Sequence, residues 1–78
     1  MENDIKVLLN LFNTAKFDLV ISKAKRLIKK YPEYLILYNL LGSAYQNLGN
    51  YNLAKEIFIK GNKMDPNNIA IMNNLANI

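Results

Sequence analysis

The chain has 78 residues, a formal net charge of +4, and neither Cys nor His. This length supports one small domain at most, burying only about 60% of the surface that its unfolded form exposes. Without Cys there is no disulfide, thiolate nucleophile or thiolate metal ligand, and without His the usual general base near neutral pH is missing too, so zinc chemistry and cysteine catalysis are excluded.

In chain order, Met1-Glu2-Asn3-Asp4 is acidic where a secretory signal is basic, and no small-residue cleavage site follows an apolar core. A cytoplasmic protein without an export address is expected. The first helix is predicted over about residues 3–14. The apolar runs Val7-Leu8-Leu9 and Leu35-Ile36-Leu37 are interrupted by Lys6, Asn10 and Asn39, far short of the roughly 20 residues that a membrane helix needs. The second helix, 17–30, carries Phe17, Val20, Ile21, Ala24, Leu27 and Ile28 at steps of three and four, with Lys23, Lys25, Arg26, Lys29 and Lys30 pointing elsewhere. The third, 35–48, is marked by Tyr38, Leu41, Ala44, Tyr45 and Leu48 and ends at Gly49, whose missing Cβ permits the left-handed closing conformation. Asn50 is expected to cap the fourth helix, 51–64, whose one face holds Ala54, Ile57, Phe58, Gly61 and Met64. Proline disfavours helical geometry in the residue before it, so Asp65-Pro66 stops this helix, and Asn67-Asn68 turns into a fifth predicted over 69–78. The fold class is all-α.

Pro32 and Pro66 stand 34 residues apart, and a shift by that length aligns the chain with itself. Backwards, Tyr51 maps to Phe17, Leu53 to Leu19, Leu41 to Val7 and Lys63 to Lys29; forwards, Tyr38 maps to Met72, Leu41 to Leu75 and Gly42 to Ala76. The first copy departs where Leu8 stands for Gly42, Val20 for Ala54 and Ala24 for Phe58, so some positions grow while another shrinks. Small residues at Gly42 and Ala54 let two antiparallel helices approach, and large Tyr and Phe side chains fill the flanking space. Leu8 implies a looser or differently crossed first pair.

The segment Tyr38-x-x-Leu41-Gly42-x-x-Tyr45, Ala54-x-x-x-Phe58, Pro66 resembles the tetratricopeptide repeat family. The resemblance implies an α-solenoid of antiparallel helix pairs, with repeats at 1–34 and 35–68 and a partial repeat at 69–78. It implies a non-catalytic scaffold that binds a protein or peptide partner, with no cofactor and no metal. In such a stack each unit buries its apolar face on its neighbour. Because the last copy stops mid-pattern, Ile71, Met72, Leu75 and Ile78 are expected to continue into a longer array or to self-associate, here as a homo-oligomer. The opening Met72-Asn73-Asn74-Leu75-Ala76-Asn77 also looks like repeats that precede glycosyltransferase or sulfotransferase domains, and Leu40 breaks the phase of Asn74 in the preceding copy.

The first helix of each repeat lines the concave surface in this family. Carried over by phase, the groove residues are Ile5, Leu9, Phe12 and Asn13; Ile36, Asn39, Ser43, Gln46 and Asn47; and Ala70, Asn73, Asn74 and Asn77. An Asn amide donates to a carbonyl and accepts from an N–H, so Asn39 and Asn73, in equal phase, are expected to hold peptide main chain while Ile5, Leu9 and Phe12 take an apolar side chain. Two bland readings stand beside these. The chain holds thirteen Asn, several in turns, and the apolar first helix is expected to be partly packed or sealed against a second molecule. A branch of the family grips chaperone C-terminal carboxylates with cations. The matching positions here, Ile5, Leu9, Leu40, Ala70 and Asn74, carry none, so chaperone-tail binding is not expected.

Two other functions lose on the residues. The cations of the second helix have no aromatic interleaving for base stacking, so a solvated face is the better account and no nucleic-acid partner is expected. The six acids, Glu2, Asp4, Asp18, Glu33, Glu56 and Asp65, fall largely at helix starts and turns, where capping explains them, and no glycine-rich phosphate loop exists. Tyr31, Tyr34, Tyr38, Tyr45 and Tyr51 read as core or turn residues with one hydroxyl partner each.

Overall fold

A computed structural model describes residues 2–68 and residue 74. Four helices follow one another: α1 (Glu2–Asn13), α2 (Phe17–Lys30), α3 (Leu35–Asn47) and α4 (Tyr51–Met64). The fold is all-helical, and there is no strand among the described residues. The four predicted helices lie within a residue of their expected bounds. The fifth, at 69–78, with Ile71, Met72, Leu75 and Ile78, lies outside the described residues, apart from Asn74, which is helical.

The core forms where the apolar stripes meet. Leu8 of α1, Val20, Ala24 and Leu27 of α2, Leu37, Leu40, Leu41, Ala44 and Tyr45 of α3, and Ala54 and Phe58 of α4 make one buried cluster. Helix α3 is the centre of the molecule. It packs most extensively on α4, then on α2, and it also touches α1. A helix enclosed by neighbours must be apolar round most of its circumference, whereas α1 and α4 bury one side each. Helices α1 and α2 meet less extensively than α3 and α4, as the larger Leu8 at the position of Gly42 predicts.

The close approach of α3 and α4 has an atomic basis. A Cβ built on Gly42 would lie 2.7 Å from Cδ1 and 2.8 Å from Cζ of Phe58, and closer still to Cε1. The ring of Phe58, which is wholly buried, therefore occupies the space that any side chain at 42 would need.

Both hairpin turns close in the same way. Thr14 N–H donates to Asn10 O (3.0 Å), Ala15 N–H to Phe12 O (3.0 Å) and Lys16 N–H to Leu11 O (2.8 Å). The same three bonds, moved on by 34 residues, join Leu48 to Ala44 (3.2 Å), Gly49 to Gln46 (3.0 Å) and Asn50 to Tyr45 (2.9 Å). The residue before the last donor is left-handed in each, Gly49 at φ 80 and Ala15 at φ 60. That conformation is the usual way to satisfy a helix's last carbonyls, and glycine adopts it without steric cost.

Several expectations need correction. Asn50 stands at the start of α4, but its side chain makes no capping bond; its backbone (φ −90, ψ 68) is outside the extended geometry from which such a bond forms. Leu48 is 50% exposed because it follows the last turn of α3 and points out of the stack. Met64, in the last turn of α4, is exposed as well. Of the tyrosines, Tyr38 and Tyr45 are core residues, with Tyr38 Oη donating to Pro32 O at 2.9 Å, but Tyr34 and Tyr51 are exposed just outside or at the start of a helix.

Candidate functional site

Helices α1 and α3 are the first members of their hairpins, and the 34-residue offset places Ile5 level with Asn39, Leu9 with Ser43, Phe12 with Gln46 and Asn13 with Asn47. On α1, Ile5 and Phe12 are only partly exposed and pack against the core, with the Phe12 ring edge-on to Phe17 at 5.3 Å. Leu9 is 40% exposed and Asn13 is exposed. On α3, Ile36 is 40% exposed, while Asn39, Ser43 and Gln46 are half-buried. Asn47 is exposed, and its Nδ2 donates to the Ser43 carbonyl at 2.8 Å, which ties the amide to its own helix.

The apolar part of this surface is thus narrower than the sequence suggests. Leu9 and Ile36 present free apolar area, whereas Ile5 and Phe12 have much of theirs committed to the fold. A shallow recess lined by Leu35, Ile36, Asn39 and Asn68 adjoins the polar part.

One polar contact was not foreseen. Asn74 Nδ2 donates to Asn39 Oδ1 at 2.6 Å, across 35 residues of chain. By phase Asn39 corresponds to Asn73, which lies outside the described residues together with Ala70 and Asn77. A contact at an offset of 35 cannot be found by a strict 34-residue comparison; the signal available was a second amide, Asn74, next in sequence to the phase-matched one. The bond uses the Asn39 acceptor and leaves its two amide hydrogens and the carbonyl of Asn74 for other partners.

The cations of α2 are partly accounted for inside the fold. Lys23 Nζ lies 3.3 Å from Asp4 Oδ1 and joins α2 to α1. Lys25 stands over the Tyr45 ring at 5.7 Å, and Lys30 over the Tyr31 ring at 5.4 Å, both within the range of cation–π attraction. Arg26 and Lys29 are exposed. Among the described residues no charged side chain is buried, and Asn62 Oδ1 is a buried acceptor without a hydrogen-bond partner.

The described helices form two successive hairpins, α1 with α2 and α3 with α4, joined through the packing of α2 on α3. Residues 35–68, which are α3, its turn, α4 and the turn after it, match the family model described as Tetratricopeptide repeat. Over these residues the chain is similar to that family, whose repeats in general suggest a protein–protein interaction module and are typically non-catalytic. No curated protein and no solved structure matches the chain significantly. No helix among the described residues is long and apolar enough to cross a membrane.

Proposed function

We propose that the chain is a non-catalytic scaffold element that holds an extended segment of a partner protein against the surface shared by α1 and α3. In this reading residues 1–34 and 35–68 are two repeats, and the partner lies across Leu9, Ile36, Asn39, Ser43 and Gln46, with Asn74 at its edge. The observation that carries the reading is the mixed character of that surface. Leu9 and Ile36 stand 40% exposed beside half-buried polar groups that retain donors and acceptors. An extended peptide needs this combination, apolar contact for a side chain and fixed amides or hydroxyls for its main chain. Ile5 and Phe12 act mainly as the wall behind the surface, Asn13 stands exposed at its end, and Asn73 and Asn77 would extend its amide rows.

The test is a backbone NMR titration of the full chain with peptides selected from a random display library. Shifts clustered on α1 and α3, lost on Leu9→Glu and weakened severalfold by Asn39→Ala, are expected. Shifts confined to the outer sides of α2 and α4, or binding indifferent to both variants, would refute the reading.

A further inference from the structure

The offset of 34 residues allows the outward side of α1 to be compared, position by position, with the side of α3 that packs on α2. On α3 that side carries Leu37, Leu40, Leu41 and Ala44, every one of them buried. Gly42, facing Phe58, marks the opposite side toward α4. The corresponding residues of α1 are Asn3, Lys6, Val7 and Asn10. All four are exposed, and α1 instead buries Leu8 and packs Ile5, Leu11 and Phe12 against the core.

Three of the four apolar residues that make a helix able to accept a neighbour are thus replaced by an ammonium and two amides. A helix pair laid on this side of α1 in the way α2 lies on α3 would strip water from Lys6, Asn3 and Asn10, and Val7 alone would supply apolar contact. Burial of an unpaired charge and unsatisfied amides opposes association, and the apolar area that normally drives stacking is missing. Polar outer faces of this kind are what the end units of solenoids need.

We propose that the side of α1 formed by Asn3, Lys6, Val7 and Asn10 is a closed end of the helix stack: it faces solvent, and neither a second copy nor another helix pair stacks on it. Head-to-tail chains of this protein, which require this surface on every copy, are then excluded, and any further unit joins from the α4 side. The inference does not rest on the groove reading, because the two sets of residues are distinct.

Two variants of the full chain test it by sedimentation equilibrium over a wide concentration range, with helical circular dichroism as the check on folding. Asn3→Arg/Asn10→Arg places two more positive charges beside Lys6. The expected result is the wild-type mass at every concentration; a lower mass would mean that the surface is covered in the native protein, and would overturn the proposal. Asn3→Leu/Lys6→Leu/Asn10→Ala restores the residues of α3. Read where its dichroism equals that of the wild type, it is expected to gain mass steadily with concentration, beyond the wild-type value, as copies join head to tail. A mass that stays at the wild-type value would show that these polar residues are not what closes the end, and would overturn the argument equally.

Discussion

Replacing Gly42 by alanine sets two effects of opposite sign against each other, and the structure decides which wins. Alanine in a helix interior is favoured over glycine by about 1 kcal/mol. Against this, the new methyl would sit 2.7 and 2.8 Å from two ring carbons of Phe58 and nearer to a third, where carbon atoms prefer about 3.5–4.0 Å. The ring must retreat by about 1 Å to restore ordinary contact. Phe58 has no exposed surface into which to move, so the retreat disturbs the core, and overpacking of this kind costs about 1–3 kcal/mol. The expected net loss is up to about 2 kcal/mol, or as much as about 16 °C in melting temperature for a chain of this size. Urea unfolding followed by circular dichroism measures it, in a cycle with Phe58→Leu. With the ring gone, Gly42→Ala should become neutral or stabilising. The reasoning fails if Gly42→Ala stabilises the native chain, or if its cost is the same with and without the Phe58 ring.

The two turns offer a paired test, since equivalent positions carry different residues. Gly49→Ala should cost about 1 kcal/mol, because its φ of 80 is unfavourable to any side chain although nothing crowds it, whereas Ala15→Gly, at φ 60, should gain about 0.5–1 kcal/mol; thermal melts of both variants should shift in opposite directions. Tyr38→Phe removes the bond to the Pro32 carbonyl and should destabilise by about 1 kcal/mol in urea unfolding. Lys23→Ala should cost no more than about 1 kcal/mol, since the Asp4 pair is partly exposed, and the difference from wild type should shrink when the melt is repeated at about 1 M salt.

Helices α2, α3 and α4 were legible because every signal agreed, a stripe at helical spacing, a glycine or proline after the end, and the 34-residue shift; α1 ends at Thr14-Ala15-Lys16 with neither residue and leaned on the shift. The buried faces of α2 and α4 followed from that spacing, and the exchange of sizes between Leu8 and Gly42, or Ala24 and Phe58, was visible as a departure from the repeat. Less legible was how far α3 is enclosed. Its stripe of Tyr38, Leu41 and Tyr45 pointed to one buried side, while Leu37 and Leu40 on other sides are buried as well, because burial there depends on neighbours that periodicity cannot count. Alanine does not announce the left-handed conformation as Gly49 does, so at Ala15 the one sequence signal was the 34-residue shift that sets it at the place of Gly49. The candidate surface was legible by phase alone. That α1 would spend Ile5 and Phe12 on its own core, and that Asn39 would meet Asn74, depended on side-chain directions that spacing does not specify.

The reciprocal sizes at the helix crossings limit how this chain can be re-engineered. Moving Leu8 into the second hairpin would drive it into the Phe58 ring, and moving Gly42 into the first would leave a hole beside Ala24. The two helices of a hairpin must therefore travel together as a matched wedge and notch, whereas single helices exchanged between hairpins would jam or rattle.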